Sequence, residues 1–118
     1  MKCERLDVWK IGARLSSDVY KSYMQLKDYG FKDQITRSAL SIPSNIAEGM
    51  EKSSIKDQIR FLDIAKGSAA EFATQTYIGM DIWYIDKENG KIHIEKSEQI
   101  LKMLTKLQQH LKGKINNG

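Results

Sequence analysis

The sequence predicts an all-α protein, an up-down-up-down bundle of four helices. Three observations indicate this fold class. The 118 residues include a single proline, runs of β-branched residues are few, and apolar residues recur every three or four positions in four segments separated by short breaker clusters. A chain of this length forms one domain, here residues 1–118, and can bury a core of its own. We therefore expect four amphipathic helices with short connections.

The cluster Asp28-Tyr29-Gly30 separates the first two helices. The first helix is predicted to start near Leu6 and to end before this cluster, because glycine and aspartate favour turns. Asp33 is predicted to be the N-cap of the second helix, since its short carboxylate can accept a backbone hydrogen bond there.

The second helix contains Pro43, the only proline of the chain. A proline inside a helix removes one backbone hydrogen bond and costs about 3 kcal/mol. Either the helix continues with a kink, or it stops and restarts with Asn45 as cap and Glu48 three residues later. The apolar residues keep their helical phase from Ile35 to Met50, so one helix kinked at Pro43 is predicted.

The third helix is predicted to start after Ser54, since Ser54 followed three residues later by Asp57 is a capping signature. It is predicted to run to about Ile85. Asn89-Gly90 is then predicted to form a helix–helix loop, although an Asn-Gly pair between apolar runs also favours a hairpin.

The last helix is predicted to run from about Glu95 to Leu111 and to end at Gly113 and the tail of residues 116–118. Its apolar positions form a heptad seam of Ile100, Leu104, Leu107 and Leu111. The third helix also carries a second apolar set beside its main stripe, which a single antiparallel neighbour cannot cover: Phe61, Ile64, Tyr77, Ile78 and Ile82. This surplus predicts contacts with further chains.

The net charge of +4 is unevenly distributed. Residues 1–98 carry 15 basic and 15 acidic side chains, and the whole excess lies in the last twenty residues, at Lys102, Lys106, Lys112 and Lys114. These lysines are either a solvated face with a frayed tail or a contact surface for an anionic partner such as RNA or DNA. No aromatic residues are arranged among basic ones, so sequence-specific readout of nucleic acid is not predicted.

The single cysteine, Cys3, cannot form an internal disulfide, which favours a reducing cytoplasm. No signal peptide or membrane span is found, so a cytoplasmic location without a membrane partner is expected. No metal motif, phosphate loop or dinucleotide fingerprint is found, and neither metal nor cofactor is predicted. His93 and His110 are too far apart for one helix face, so both are expected to have surface or packing roles.

One arc of the second helix is polar and small. At 100° per residue, Arg37, Ser41, Ser44, Asn45 and Glu48 fall within about 100°. Small residues let another backbone approach, although an ordinary solvent face explains the arc equally well. Glu48, Glu71 and Arg37 could meet between helices, but a salt bridge is a better interpretation than acid–base catalysis, and an enzyme is the least favoured function.

The segment from Arg37 to Gly49 resembles the signature of the 23S ribosomal RNA intervening-sequence proteins. Residues 6–10 with 19–20, 60–71 and 101–111 resemble the opening, third and closing helices of the same family, so the resemblance covers nearly the whole chain. It implies a helical bundle that assembles as a homopentamer and has no defined enzymatic activity. A related branch, the accessory variability proteins of diversity-generating retroelements, binds nucleic acid with a more basic pentamer.

The resemblance also implies that the signature positions are architectural, with Pro43 setting the kink and with Asn45, Glu48 and Glu71 bonding between helices. These positions are Arg37, Ser41, Pro43, Ser44, Asn45, Glu48, Gly49, Gly67, Ser68 and Glu71. The sequence and the resemblance together predict a non-enzymatic homo-oligomer associated with RNA or DNA. The alternative is a structural scaffold whose partner is another protein.

Overall fold

The structure, a computed structural model, describes the backbone of residues 1–117 and the side chains through Ile115. It contains four helices, α1 (Asp7–Tyr23), α2 (Tyr29–Met50), α3 (Ile55–Asp81) and α4 (Lys87–Asn117), preceded by a short 3-10 helix (Lys2–Arg5). No strand occurs in this part of the chain. The prediction of an all-α four-helix bundle is confirmed.

Consecutive helices run antiparallel. For α3 and α4, two hydrogen bonds show this: Ser97 donates to the carbonyl of Ala69 (2.8 Å), and Gln108 donates to the carbonyl of Ile59 (3.2 Å). The donor thus moves forward along α4 as the acceptor moves backward along α3. The core lies between all four helices, and its largest fully buried side chains include Val19, Ile35, Ile42, Ile46, Leu62, Phe72, Ile100 and Leu104. Burying each large apolar side chain contributes about 1.5–3 kcal/mol.

The start of α3 was predicted correctly, and the start of α2 was not. The Ser54 hydroxyl accepts a hydrogen bond from the backbone N–H of Asp57 (3.1 Å). At α2 the cap is Asp28, whose carboxylate accepts from the N–H of Phe31 (3.1 Å). The prediction of Asp33 as N-cap is wrong because the helix begins one turn earlier and includes Gly30. Asp33 instead lies inside α2.

The connection between α3 and α4 lies earlier than predicted. α3 ends at Asp81, residues 82–86 form the turn, and α4 begins at Lys87. The predictions that α3 reaches Ile85, that Asn89-Gly90 is a loop and that α4 starts near Glu95 are wrong. The Asp86 carboxylate caps α4 by accepting from the N–H of Asn89 (3.0 Å). Gly90 lies inside α4 and lets Met80 of α3 pack against its backbone, because Met80 fills the space that a Cβ would need.

α4 also extends further than predicted at its other end. It continues through Gly113 to Asn117, so the predictions that it ends at Leu111 and that Gly113 stops it are wrong. A glycine inside a helix costs about 1 kcal/mol, which weakens a helix without necessarily ending it. The predicted end of the tail at Gly118 lies outside the described residues. In the heptad seam Leu107 is half-buried and the other three residues are buried.

Pro43 lies inside an uninterrupted α2, so the helix does not restart at Asn45. The predicted kink stays a prediction. Pro43 is buried against α1, where a Cβ on Gly12 would lie 3.7 Å from the Pro43 Cβ and 3.3 Å from a methyl group of Ile42. The proline therefore occupies a close contact between α1 and α2.

Cys3 is free, as expected, but it is buried, because the 3-10 helix packs onto α1 and α2. None of the helices in the described part of the chain is both long enough and apolar enough to cross a membrane.

Candidate nucleic-acid interface

The four C-terminal lysines lie on a helix, not on a frayed tail. All four side chains are exposed. Lys102 and Lys106 are one turn apart on the outward side of α4, whereas Lys112 and Lys114 lie about 160° apart around the helix. The structure therefore places Lys102 and Lys106 on one surface and separates the last two lysines.

α4 carries the whole net charge of the protein. Between Lys87 and Asn117 there are seven lysines and three glutamates, and the rest of the chain is balanced. Among the described residues, no lysine of α4 has a carboxylate within 4.0 Å, while the ion pairs of the molecule lie elsewhere. Lys91, Lys102 and Lys106 fall within about 60° of arc on the outward side of the helix.

The positive surface of α4 is not continuous. Glu95 and Glu98 lie between Lys91 and Lys102, and Glu95, Glu98, Lys102 and Lys106 line one shallow depression. The acidic pair separates a basic region at the start of α4 from a larger one in its second half. Phosphate groups would therefore bind most favourably after Gln99, where no acidic residue follows.

Two signature residues of α2, Ser41 and Asn45, lie beside α3 and form with Ser68 a polar contact that we call the α2–α3 seam. The hydroxyls of Ser41 and Ser68 are 2.8 Å apart, and the amide of Asn45 donates to the Ser41 hydroxyl (2.8 Å). One turn away, Ser38 donates to the side-chain carbonyl of Gln75 (2.6 Å). The small polar arc is thus partly buried between two helices and is not a plain solvent face.

The charged signature residues do not bond between helices. Arg37 pairs with Asp33 (2.9 Å) within α2, and Glu48 lies 4.0 Å from Lys52, two residues beyond the end of the same helix. Glu71 accepts a hydrogen bond from Gln75 (3.2 Å) within α3. The expected bonds of Glu48 and Glu71 between helices are therefore not formed. Both side chains are exposed, so water competes for them and an inter-helix contact would gain little.

The two signature glycines have different surroundings. A Cβ on Gly49 would lie 2.9 Å from the Cβ of Phe61, so α2 and α3 approach closely at this point. A Cβ on Gly67 would have no neighbour within 4 Å. Asn45 donates to the backbone of Ser41 as well as to its hydroxyl, so its bonds lie within α2 and the expected bond of Asn45 between helices is not formed. Ser44 is exposed, and nothing in the structure explains its identity.

A buried titratable pair joins α1 to α4. The hydroxyl of Tyr23 and Nδ1 of His93 are 2.8 Å apart. Burial lowers the pKa of His93, and the carboxylates of Asp18 and Asp86 oppose that effect. Burial also raises the pKa of Tyr23. The pair is neutral at pH 7 and has a packing role, while His110 is exposed.

Among the residues that the structure describes, the charged signature residues form no shared cluster, and no metal-binding group is found. Arg37, Glu48 and Glu71 each have their own partner, and they do not share a cleft. In the described part of the chain, no group of three histidine, cysteine, aspartate or glutamate side chains could hold a metal ion.

Sequence reasoning missed an open concavity that is lined by both aromatic and basic side chains. Tyr77, Met80, Asp81, Trp83, Lys87 and Lys91 line an open concavity of about 470 Å³, which we call the Trp83 groove. The expectation that no aromatic residues are arranged among basic ones is wrong here. Trp83, Lys87 and Lys91 recur every four residues in the sequence, which is the one sequence signal of this groove. The groove forms because α3 ends at Asp81 and places Trp83 in the turn.

Comparison with known proteins is consistent with the fold and the signature. A family model described as 23S rRNA-intervening sequence protein matches residues 4–106. A solved structure from Bacteroides thetaiotaomicron, described as a protein of unknown function from the S23 ribosomal protein family, superposes with a TM-score of 0.82. Its sequence is 26% identical, and the match covers 86% of this chain and 97% of that one. A search of curated proteins finds no match. The chain belongs to the 23S rRNA-intervening sequence protein family.

Proposed function

We propose that this protein is a non-enzymatic, self-associating helical bundle that binds RNA through the outward side of α4. One observation carries the proposal: the entire positive excess lies on one helix, and none of that helix's lysines is paired with a carboxylate in the described residues. Unpaired lysines on a rigid helix can release counterions from a phosphate backbone, which favours binding.

The expected contact is with phosphates. Lys102 and Lys106 lie one turn apart on the outward side of α4, and they are the best placed of the four predicted lysines. Lysine is a point charge that fixes phosphates without reading bases, so this surface alone provides affinity with little sequence preference. The family's description as proteins of 23S rRNA intervening sequences supports RNA as the partner.

Self-association would multiply this charge. The outward side of α3 carries a stripe of Ile64, Gly67, Glu71 and Ile78 within about 60° of arc, which we call the outer stripe of α3. Both isoleucines are exposed, and Gly67 leaves room for close approach. A second copy of the chain is the occupant that we propose for this stripe. We further propose that the oligomer is a pentamer, that the chain is related to the accessory variability proteins, and that it acts in the cytoplasm.

The test is a fluorescence anisotropy titration with a labelled structured RNA at about 50 and 200 mM salt, where phosphate contacts weaken strongly. The variant Lys102→Gln/Lys106→Gln removes two charges from α4. We expect weaker binding and a plot of log affinity against log salt that is shallower by about 2.

The matched control is Lys21→Gln/Lys56→Gln, which changes the net charge equally but acts on exposed lysines of α1 and α3. This control should bind nearly as tightly as the parent protein. Equal losses in both double variants would mean that only the total charge matters and would contradict an α4 surface. If no RNA binds at the lower salt while the oligomer stays intact, the protein is the structural scaffold that the exposed isoleucines of α3 favour.

A further inference from the structure

Trp83 combines two unusual properties. Its backbone has a φ of 68°, and it is the only non-glycine residue with positive φ in the described part of the chain. Its side chain is 87% exposed, more than any other large apolar side chain there. A bulky residue in the left-handed region is unfavourable, and exposure of a tryptophan gains nothing in the folded monomer.

The backbone around Trp83 forms a helix-ending motif that favours glycine. The N–H of Trp83 donates to the carbonyl of Met80 (3.2 Å), and the N–H of Tyr84 donates to the carbonyl of Gly79 (2.9 Å). These two bonds define a Schellman motif, in which the left-handed residue is usually glycine. The fold therefore needs the left-handed backbone at this position but does not need the tryptophan ring.

The ring stands beside two lysines. Trp83, Tyr77, Lys87 and Lys91 all line the Trp83 groove, with Asp81 as its only carboxylate. Lys87 and Lys91 are one turn apart on α4, and neither has a carboxylate within 4.0 Å among the described residues. The groove thus presents exposed aromatic rings next to a small positive excess.

We propose that the Trp83 groove binds single-stranded nucleic acid, with a base stacked on Trp83 and phosphates held by Lys87 and Lys91. Aromatic faces combined with unpaired cations are the composition of surfaces that bind single strands. The groove lies at the start of α4, the helix that carries all of the net charge. It would therefore add a base-binding site to one end of the phosphate-binding surface. Stacking at Trp83 rests on the proposed function, because both require nucleic acid as the partner.

The observations favour a nucleic acid over a second copy of the chain in this groove. Lysine is depleted at the centres of protein–protein interfaces, whereas Lys87 and Lys91 line the groove directly. The outer stripe of α3 lies on another side of the helix, since Tyr77 and Ile78 are about 100° apart. A second copy can therefore cover the stripe while the groove stays open.

The experiment uses the fluorescence of Trp83. The chain has two tryptophans, so Trp9→Phe leaves Trp83 as the only one, and the protein is titrated with a twelve-nucleotide oligouridine at about 50 mM salt. We expect saturable quenching as bases stack on the ring. In the natural background, Trp83→Gly should weaken binding of the labelled oligonucleotide by about 5- to 150-fold, the usual effect of losing one stacked base.

Trp83→Gly keeps the protein folded, because glycine suits the left-handed position, and it should melt no lower than Trp83→Ala. Tyr29→Ala is the matched control: Tyr29 is exposed at the same end of the bundle, but Lys32 already lies over its ring, 4.8 Å from the centroid. This control should leave the affinity unchanged.

The outcomes separate the stacking inference from the proposed function. If oligouridine and structured RNA bind, but Trp83→Gly has no effect and Trp83 is not quenched, the stacking inference is overturned and the RNA function stands. If neither nucleic acid binds, both fail. If Trp83→Gly instead reduces the mass measured by light scattering, a second copy occupies the groove, and the inference is overturned.

Discussion

At the scale of single residues, the buried pair of Tyr23 and His93 makes the stability of the bundle sensitive to pH. Burial holds the pKa of His93 below its usual range, which is about 6.5 in an unfolded chain. The unfolded chain therefore binds this proton more readily than the folded one. The stabilising neutral form is present above about pH 6.5, and stability is lost as the pH falls below that value.

Replacing His93 tests this dependence. We expect the melting temperature to fall as the pH is lowered from 7.5 to 5.5. His93 should contribute at most about 1.4 kcal/mol per pH unit to the loss in free energy of unfolding. His93→Gln keeps a hydrogen-bond acceptor for Tyr23 but does not titrate, so its melting temperature should fall less. His110→Gln, at an exposed position, is the control and should behave like the parent. An unchanged fall in His93→Gln would show that other groups set the dependence.

At the scale of helices, close packing of α2 on α3 explains one signature glycine. A Cβ on Gly49 would meet the Cβ of Phe61 at 2.9 Å, and the backbone carbonyl of Gln58 lies 3.4 Å away. Neither is the end of a flexible side chain, so the two helices would have to separate. Gly67 is the opposite case, because a side chain there meets open space.

The two glycines therefore make a matched pair for thermal or chemical unfolding. Gly49→Ala should destabilise the protein by about 1–3 kcal/mol through overpacking. At a protein concentration low enough to keep the chains separate, Gly67→Ala should stabilise the protein by about 0.5–1 kcal/mol, because alanine loses less backbone freedom when it enters a helix. Stabilisation by both substitutions would mean that α2 and α3 adjust at little cost and that Gly49 is not needed for packing.

The helices also show which features local sequence determines. Ser54 was identified as a cap because the serine and its partner at Asp57 lie three residues apart, and no distant contact is involved. Asn89-Gly90 was misread because its local pattern is that of a turn, while the packing of Met80 against Gly90 places it in a helix. The turn that exposes Trp83 could not be located from the sequence, since no glycine or proline lies between Asp81, where α3 ends, and Asn89.

At the scale of the whole molecule, the bundle buries its core fully but leaves apolar side chains exposed on its surface. Its four helices bury one continuous cluster of apolar side chains, yet Ile64 and Ile78 remain exposed on the outer stripe of α3. The apolar surplus of the third helix was predicted from the sequence, because more apolar positions were present than one neighbour could cover. Which of them would stay exposed depended on the packing angles of the helices.

A charge placed on this stripe tests self-association. Ile78→Glu should reduce the mass measured by light scattering to that of one chain, because it would add a second carboxylate to a contact that already includes Glu71, and burying an unpaired carboxylate is costly. Its helix content should not change, since the side chain lies outside the core. Leu40→Glu, on the exposed side of α2, is the control and should keep the parent mass. A single-chain mass for the unmodified protein would refute self-association directly.

The concentration of charge on α4 has a consequence for how the molecule approaches a partner. The bundle is a rod of about 51 by 21 by 21 Å, and one of its long sides is positive while the remainder of the chain is neutral. In the field of any polyanion such a rod experiences a torque about its long axis, which turns α4 toward the partner before contact. Fewer encounters are then wasted on the wrong side, and added salt slows the arrival of the molecule by weakening this alignment.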